Sequence, residues 1–199
     1  MKNIIPRKYY RNPDVVFLAR DLIGKVLCST IAGNYCSGMI METEAYEGVT
    51  DRASHAYGSR RTKRNEVMYG EAGFAYIYLC YGIHSLFNIV THSPGVPHAI
   101  LIRGIAPLEG LDTMSARCHK PISRDTVLDG PGKLSLAMEF HTRFNATDIT
   151  QQAARDAIWL ENRQIQVNSS QIQVSKRIGV DYAGEHAKLP YRFILTQNG

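Results

Sequence analysis

A chain of 199 residues with 44% hydrophobic and 21% charged residues has the composition of one globular domain with a real core, which excludes a disordered or fibrous chain. Lys and Arg number 23 against 18 Asp and Glu, and Arg52, Arg60, Arg61, Lys63 and Arg64 fall between residues 52 and 64 with no acid among them. Without these five the count is 18 against 18, so the whole excess of +5 lies in one short patch suited to a polyanion.

In chain order, the first element is a helix: Asn12 as N-cap, Pro13 opening it, Asp14 in the first turn, an apolar stripe of Val15, Leu18, Ala19 and Leu22, and Gly24 to end it. Strands are predicted at 25–31, 37–46, 74–80, 85–91 and 98–103, each short, rich in β-branched or aromatic residues and bounded by Gly, Pro or Asn. Helices are expected at 107–117, 132–139 and 147–155, with late strands near 157–160, 171–175 and 190–196. Strands outnumber the helices between them and 74–80 reaches 85–91 by a short turn, so the class is α+β, one mixed domain over 1–199 with a largely antiparallel sheet and flanking helices.

Cys28, Cys36, Cys80 and Cys118 form no C-x-x-C pair and have no partner at zinc-ligand spacing, which points to a reducing compartment and away from a metal site or a disulfide scaffold. The N-terminus breaks into charge before an apolar segment can form, so no signal peptide is expected and a cytoplasmic location is. Ala72 to Ile102 lacks charge, yet Gly82, His84, Asn88, Pro94 and Pro97 interrupt it and its apolar positions alternate; it reads as buried sheet, not a membrane span.

Three places could carry chemistry. Alternation in Met41-Glu-Thr-Glu-Ala-Tyr46 puts Glu42, Glu44 and Tyr46 on one face, the carboxylates about 7 Å apart, either a solvated face or a water-activating carboxylate. In Phe74 to His84, Tyr76, Tyr78 and Cys80 share a face, and Tyr81-Gly82 falls at a hairpin tip, where an aromatic has little core to fill and could wedge between bases. Arg103 ends the apolar run from His98 and requires an acceptor, while Asn88 lies inside an apolar strand, as a satisfied amide or a ligand-reading one. Asp129-Gly-Pro-Gly-Lys133 approaches a phosphate loop but lacks its first glycine at Val127 and its hydroxyl residue at Leu134, which leaves it able to grip a DNA phosphate rather than a nucleotide.

The ordered set Glu-Thr-Glu-Ala-Tyr46, Ser54-His-Ala56, Arg60-Arg-Thr-Lys-Arg-Asn65, Tyr76-Ile-Tyr-Leu-Cys-Tyr-Gly-Ile-His84, Ile100-Leu-Ile-Arg103, Ala106 to Leu111, Gly130-Pro-Gly-Lys-Leu134 and Arg177 to Glu185 closely resembles the alkyladenine (3-methyladenine) DNA glycosylase family, in its short bacterial form. The resemblance runs from about Tyr9 to Phe193. It implies a curved antiparallel sheet with a protruding β-hairpin, and a cofactor-free, monofunctional hydrolase. That enzyme would work as a monomer on double-stranded DNA containing damaged purines, flipping out alkylated or deaminated ones and leaving an abasic site.

Carried over by position, the resemblance makes Glu44 the base for the attacking water, with Arg103 beside it and the Ile178 carbonyl completing the water's contacts. Tyr46, His55 and Tyr78 become the base pocket, Asn88 a group at the purine edge and Tyr81 the wedge. Arg60, Arg61, Lys63, Arg64, His84 and Lys133 become DNA backbone contacts. Two rivals from other classes fit less of the chain. A glycosidase acid and base at Glu42 and Glu44 would not flank a sugar bond from opposite sides, and a non-catalytic nucleic-acid-binding module leaves Glu44 and Arg103 unexplained.

Overall fold

Local chemistry sets the bounds of the first helices. In the computed structural model, which describes residues 3–152 and 155–196, a single turn α1 (Arg7–Tyr10) precedes α2 (Val15–Asp21). The N-cap of α2 is Asp14, whose side chain accepts from the Phe17 N–H, and not Asn12, whose side-chain oxygen Oδ1 instead accepts from the Asp14 N–H one step earlier. The stripe of Val15, Leu18, Ala19 and Leu22 is buried in the main core as the periodicity requires.

The strands are β1 (Val26–Ile31), β2 (Asn34–Tyr46), β3 (Ala75–Cys80), β4 (His84–Thr91), β5 (His98–Glu109), β6 (Leu128–Asp129), β7 (Ala157–Glu161), β8 (Ile172–Ser175) and β9 (Arg192–Leu195). They form one sheet in the order β3-β4-β5-β2-β1-β7, with β6 on β5, β9 on the C-terminal half of β2 and β8 on β9, and every pairing is antiparallel. This is the expected α+β class. Helices α2, α3 (Leu111–Cys118) and α4 (Pro131–Met138) supply apolar side chains to the principal core, with Phe87 stacked on Phe140 4.7 Å away. A smaller cluster of Ala56, Met68, Tyr76, Val90 and Ala99 seats the 47–70 segment on β3, β4 and β5.

Two expected helices are corrected. Residues 107–109 continue β5, because Pro107 and Glu109 pair with Gly38 and Ser37 of β2, and α3 starts only after Gly110 turns the chain at φ +79°. No helix forms over 147–152, where Asp148 bridges to Phe74, bonds Arg7 at 2.6 Å and folds back onto the Thr150 N–H, so its side chain competes for the backbone. Residues 153 and 154 of that expected helix lie outside the described residues. No helix among the described residues is long and apolar enough to cross a membrane.

Candidate active site

A double irregularity between β2 and β5 decides which way the acids point. Cys36 and Ile40 of β2 belong to the main core, and unbroken alternation would carry Glu42 and Glu44 into the same apolar layer. The register slips on either side of Glu42: Ile40 opposes Ile105, Glu42 opposes Gly104 and Thr43 opposes Ile102, so Met41 and Arg103 are the extra residues. Beyond the slip Thr43 faces inward, its hydroxyl donating to the Ala19 carbonyl at 2.6 Å, and Ala45 joins the core. Glu42, Glu44 and Tyr46 are thereby turned to the opposite face together with Leu101 and Arg103.

There the charged groups satisfy one another. Arg103 Nε donates to Glu42 Oε1 at 2.7 Å and lies 3.5 Å from Glu44 Oε1, while Arg192 Nε donates to Glu42 Oε1 at 2.6 Å. Glu44 accepts from the Ile178 N–H at 2.8 Å on one oxygen and from the Tyr46 hydroxyl at 2.8 Å on the other, and has no exposed surface. Burial therefore raises its carboxyl above the usual range, although Arg103 and the two donors pull the other way. Two details add to the expectation: Arg103 is hydrogen-bonded to Glu42 and ion-paired with Glu44, and Ile178 also reaches Glu44 directly, through its N–H.

Above this floor opens a cleft of about 650 Å³, lined by Tyr46, His55, Arg64, Tyr76, Tyr78, Tyr81, His84, Asn88, Arg103, Lys133, Ile178 and Tyr182 among others. His55 and Tyr78 meet edge to face at 4.6 Å, and Tyr76 lies tilted on Tyr78 at 5.3 Å. The Tyr76 hydroxyl is 2.8 Å from His55 Nδ1, and burial first, then Arg64 and Arg60, lower the histidine to about 4. His55 is accordingly a neutral ring at physiological pH. Asn88 donates from Nδ2 to the carbonyls of Tyr76 and Leu86, so the group it offers a ligand is its own carbonyl oxygen.

The β3–β4 hairpin turns through Tyr81 (φ +50°) and Gly82 (φ +73°), with the Ile83 N–H closing on the Cys80 carbonyl at 3.0 Å, the type I′ pattern. Asn or Gly suits the first of these positions; a bulky residue there is uncommon and holds the Tyr81 ring 89% exposed over the cleft. Next to the turn, in the last strand pair with Cys80, the His84 ring lies against Gly132, where an added Cβ would approach it to 2.8 Å, which brings the start of α4 and Lys133 to the same rim.

Ten of the residues named from sequence thus converge: Tyr46, His55, Arg64, Tyr78, Tyr81, His84, Asn88, Arg103, Lys133 and Ile178 line the cleft, with Glu44 beneath them. Arg60, Arg61 and Lys63 do not line it and stand exposed beside it; Arg61 is bonded to Glu66 and lies over the Tyr69 ring. Arg64 differs from these neighbours in lying over the Tyr78 ring at 4.6 Å inside the cleft mouth. Sequence reasoning overlooked Arg192, whose only signal is its place in the last strand, and Arg177 and Tyr182, which stand inside quoted motifs without a role; Tyr76, which reads from sequence chiefly as a core aromatic, also lines the cleft.

With this geometry, the similarities to known proteins are specific. A family model described as methylpurine-DNA glycosylase (MPG) matches residues 8–199. A Chlamydia felis protein named "Putative 3-methyladenine DNA glycosylase" is 44% identical over 97% of this chain and 96% of its own length. Proteins of the same name from Desulfitobacterium hafniense and Clostridium acetobutylicum are 40% and 38% identical, each over 96% of this chain and 95% and 94% of their own lengths. Matches of this extent, over a sheet that carries a desolvated carboxylate beneath an aromatic cleft, mean that the chain belongs to the methylpurine-DNA glycosylase family and that its activity is that of a DNA glycosylase in DNA repair.

Proposed function

We propose that the protein excises alkylated purines of the 3-methyladenine type from double-stranded DNA, and deaminated purines more slowly, by hydrolysis of a flipped-out nucleotide. The observation that carries this reading is Glu44, fully buried, raised in pKa and ion-paired, directly under a cleft walled by Tyr46, His55, Tyr76 and Tyr78. Base chemistry inside a duplex requires extrusion, at a cost of a few kcal/mol, and an aromatic pocket with a wedge such as Tyr81 replaces the stacking lost on both sides.

In the chemical step a water adds its oxygen to C1′ while the electron pair of the N-glycosidic bond leaves with the base and Glu44 takes the water's proton. The water reaches Glu44 by taking the place of one of its present donors, the Tyr46 hydroxyl or the Ile178 N–H. The carboxylate also stabilises the oxocarbenium character of the sugar, while Glu42 is tied to Arg103 and Arg192 through its Oε1. An alkylated purine carries positive charge and departs without an acid. Hypoxanthine needs protonation, and His55, neutral down to about pH 4, is not poised to give it. Lys133 is the cleft's one lysine among the described residues; it sits at the rim, bonded to Asp129 at 2.7 Å, so water and not an amine is the nucleophile.

The test is a panel of duplexes, each with one 3-methyladenine, 7-methylguanine, hypoxanthine or ethenoadenine, assayed for abasic sites with Glu44→Gln in parallel. Release of alkylated purines by the wild type alone is the expected result. Equal release by Glu44→Gln would overturn the assignment of the base, and no release of any lesion would overturn the substrate.

A further inference from the structure

We infer that Arg177, clamped by Asp51, is a positioning residue for excision, holding the two sides of the site, Glu44 and Tyr46 on one and Ile178 on the other, at their working separation. The inference rests on the function proposed above, since it concerns the geometry of that same site.

The guanidinium is buried, with no exposed side-chain surface, and makes contacts with three separate segments. Nη1 donates to the Ala45 carbonyl at 2.8 Å and to Asp51 Oδ2; Nη2 donates to Asp51 Oδ1 at 2.9 Å and to the His186 carbonyl at 3.0 Å. Ala45 is the residue between Glu44 and Tyr46. The Tyr46 ring lies 4.8 Å from the guanidinium and the Tyr191 ring 5.3 Å from it, so the same cation backs the pocket wall. One residue further along the chain, Ile178 gives its N–H to Glu44. Asp51 extends the clamp, since its carboxylate also accepts the N–H groups of Glu47 and Ala53 and so shapes the loop that leads to His55.

A buried ion pair is a poor device for stability, because desolvation of both charges offsets most of their attraction. It is a good device for geometry: a planar fork fixes two carboxylate oxygens and two backbone carbonyls at once, which an ammonium cannot do. Every contact of this fork ends within two residues of a group that touches Glu44 or walls the pocket, except the one to His186. Loss of the fork leaves the cleft in place but lets Ile178 and Tyr46 drift, and displacement of about 1 Å at a reacting centre costs on the order of 10²-fold in rate.

The experiment compares Arg177→Lys, Arg177→Met and Asp51→Asn with wild type, in single-turnover excision of a methylated purine at saturating enzyme, in lesion-duplex affinity and in thermal melting. The expected result is a rate loss of about tenfold for Arg177→Lys and Asp51→Asn and about 10²-fold for Arg177→Met, with affinity within about threefold of wild type. A pH profile adds a readout that a purely structural role would not move. Glu44 is faced by Glu42 and Tyr46 of its own strand, by Arg103 of β5 and by the segment carrying Arg177 and Ile178, with Arg192 of β9 engaged on Glu42. Removing the Arg177 charge shifts the acidic limb to higher pH in Arg177→Met and less in Arg177→Lys. Wild-type rates in a folded Arg177→Lys or Asp51→Asn would overturn the proposal, and unfolding of all three would assign the pair to stability alone. Glu44→Gln, run alongside, separates the two readings: an active Glu44→Gln sinks the proposed mechanism, whereas an inactive Glu44→Gln beside an undiminished Arg177→Lys sinks only the clamp.

Discussion

Two clusters along β5, one at its middle and one at its C-terminal end, use the same residue types and arrive at opposite electrostatics. At the middle Glu42 and Glu44 share Arg103 beneath the cleft; at the C-terminal end Glu109 and Glu161 share Arg163, with Tyr35, Ser37 and Trp159 donating to them as well. Glu109 keeps 47% of its side chain in solvent, and the Ser37 hydroxyl and Arg163 hold its carboxyl below the usual range. Glu44 keeps none, and burial pushes its carboxyl up in spite of its partners. The lesson is that a carboxylate pair with an arginine is not a site in itself. What makes one is desolvation that the surrounding donors leave partly uncompensated, next to a space large enough for a ligand.

The comparison breaks most visibly in the chemistry. Glu44→Gln is expected to cost 10² to 10⁴ in single-turnover excision, the usual range for a general base, with loss of charge stabilisation adding to it and lesion-duplex binding largely kept. Glu109→Gln, at the distal cluster, is expected to leave excision within about twofold. If both substitutions slow excision alike, the contrast between the clusters has no catalytic meaning.

Next in size is the hairpin above the cleft. Tyr81→Asn should lose stacking of roughly 1 to 3 kcal/mol in the flipping equilibrium, about 5- to 150-fold in excision of a well-paired lesion. In a mismatch, where extrusion is already cheap, the deficit should be smaller. Because Asn suits the positive φ at this turn position better than Tyr, melting should be unchanged or slightly higher. An unfolded mutant, or equal slowing on paired and mismatched lesions, would return Tyr81 to a structural role.

How far these features were legible in the sequence differs along β2 and β5. Most of the strands, the hairpin tip at Tyr81 and the apolar stripe of α2 follow from periodicity and turn chemistry and lie within a few residues of expectation, whereas β5 runs six residues further than the 98–103 expected and β6 has no counterpart in the expectation. The face shared by Glu42, Glu44 and Tyr46 was also correct, but for a reason that alternation cannot reveal. Which side of the sheet that face meets depends on extra residues at Met41 and Arg103, and a bulge is a property of two strands, not of one. Likewise Pro107 and Glu109 read as the start of a helix until β2 pairs with them, and Asp148 leaves helical geometry because Arg7, far away in sequence, takes its side chain. Arg192 and Arg177 were overlooked for the same reason: nothing local distinguishes a buried, site-forming arginine from a solvated one.

The third expected effect concerns charge outside the cleft. Arg60→Ala and Arg61→Ala should weaken damaged and undamaged DNA alike, each lost phosphate contact lowering the salt-dependence slope by about 0.9. Arg61 must leave Glu66 to reach a phosphate, so Arg60→Ala should have the larger effect on affinity. Arg163→Ala, which removes an arginine from the distal cluster, should not change the slope. A selective loss for damaged DNA at an unchanged slope would mean that Arg60 and Arg61 shape the pocket instead.

The smallest effects are in stability, and they carry opposite signs at the two clusters. Because Glu44 is raised, the folded protein keeps its proton to a higher pH than the unfolded chain; its contribution to stability is fully present below the ordinary carboxylate range and is lost as pH rises through the raised value. Glu44→Gln removes the cost of that ionisation, so at pH 7 it should melt higher than wild type by an amount in the range of about 0.5 to 2 kcal/mol seen when a strained functional group is replaced, a few degrees for a chain of this size. The gain should shrink on acidification as the wild-type carboxyl takes up its proton. Glu109 is lowered, so its contribution is present above the ordinary carboxylate range and is lost as pH falls through the lowered value. Glu109→Gln should therefore melt lower than wild type at pH 7, by less than about 1 kcal/mol because solvent screens a half-exposed group, and the deficit should vanish at low pH. Melting curves of the two variants from pH 7 to pH 4 test both signs in one series. Should Glu44→Gln be destabilised at neutral pH as Glu109→Gln is, Glu44 would be a well-compensated structural carboxylate, and the uncompensated desolvation that distinguishes the cleft from the distal cluster would not exist.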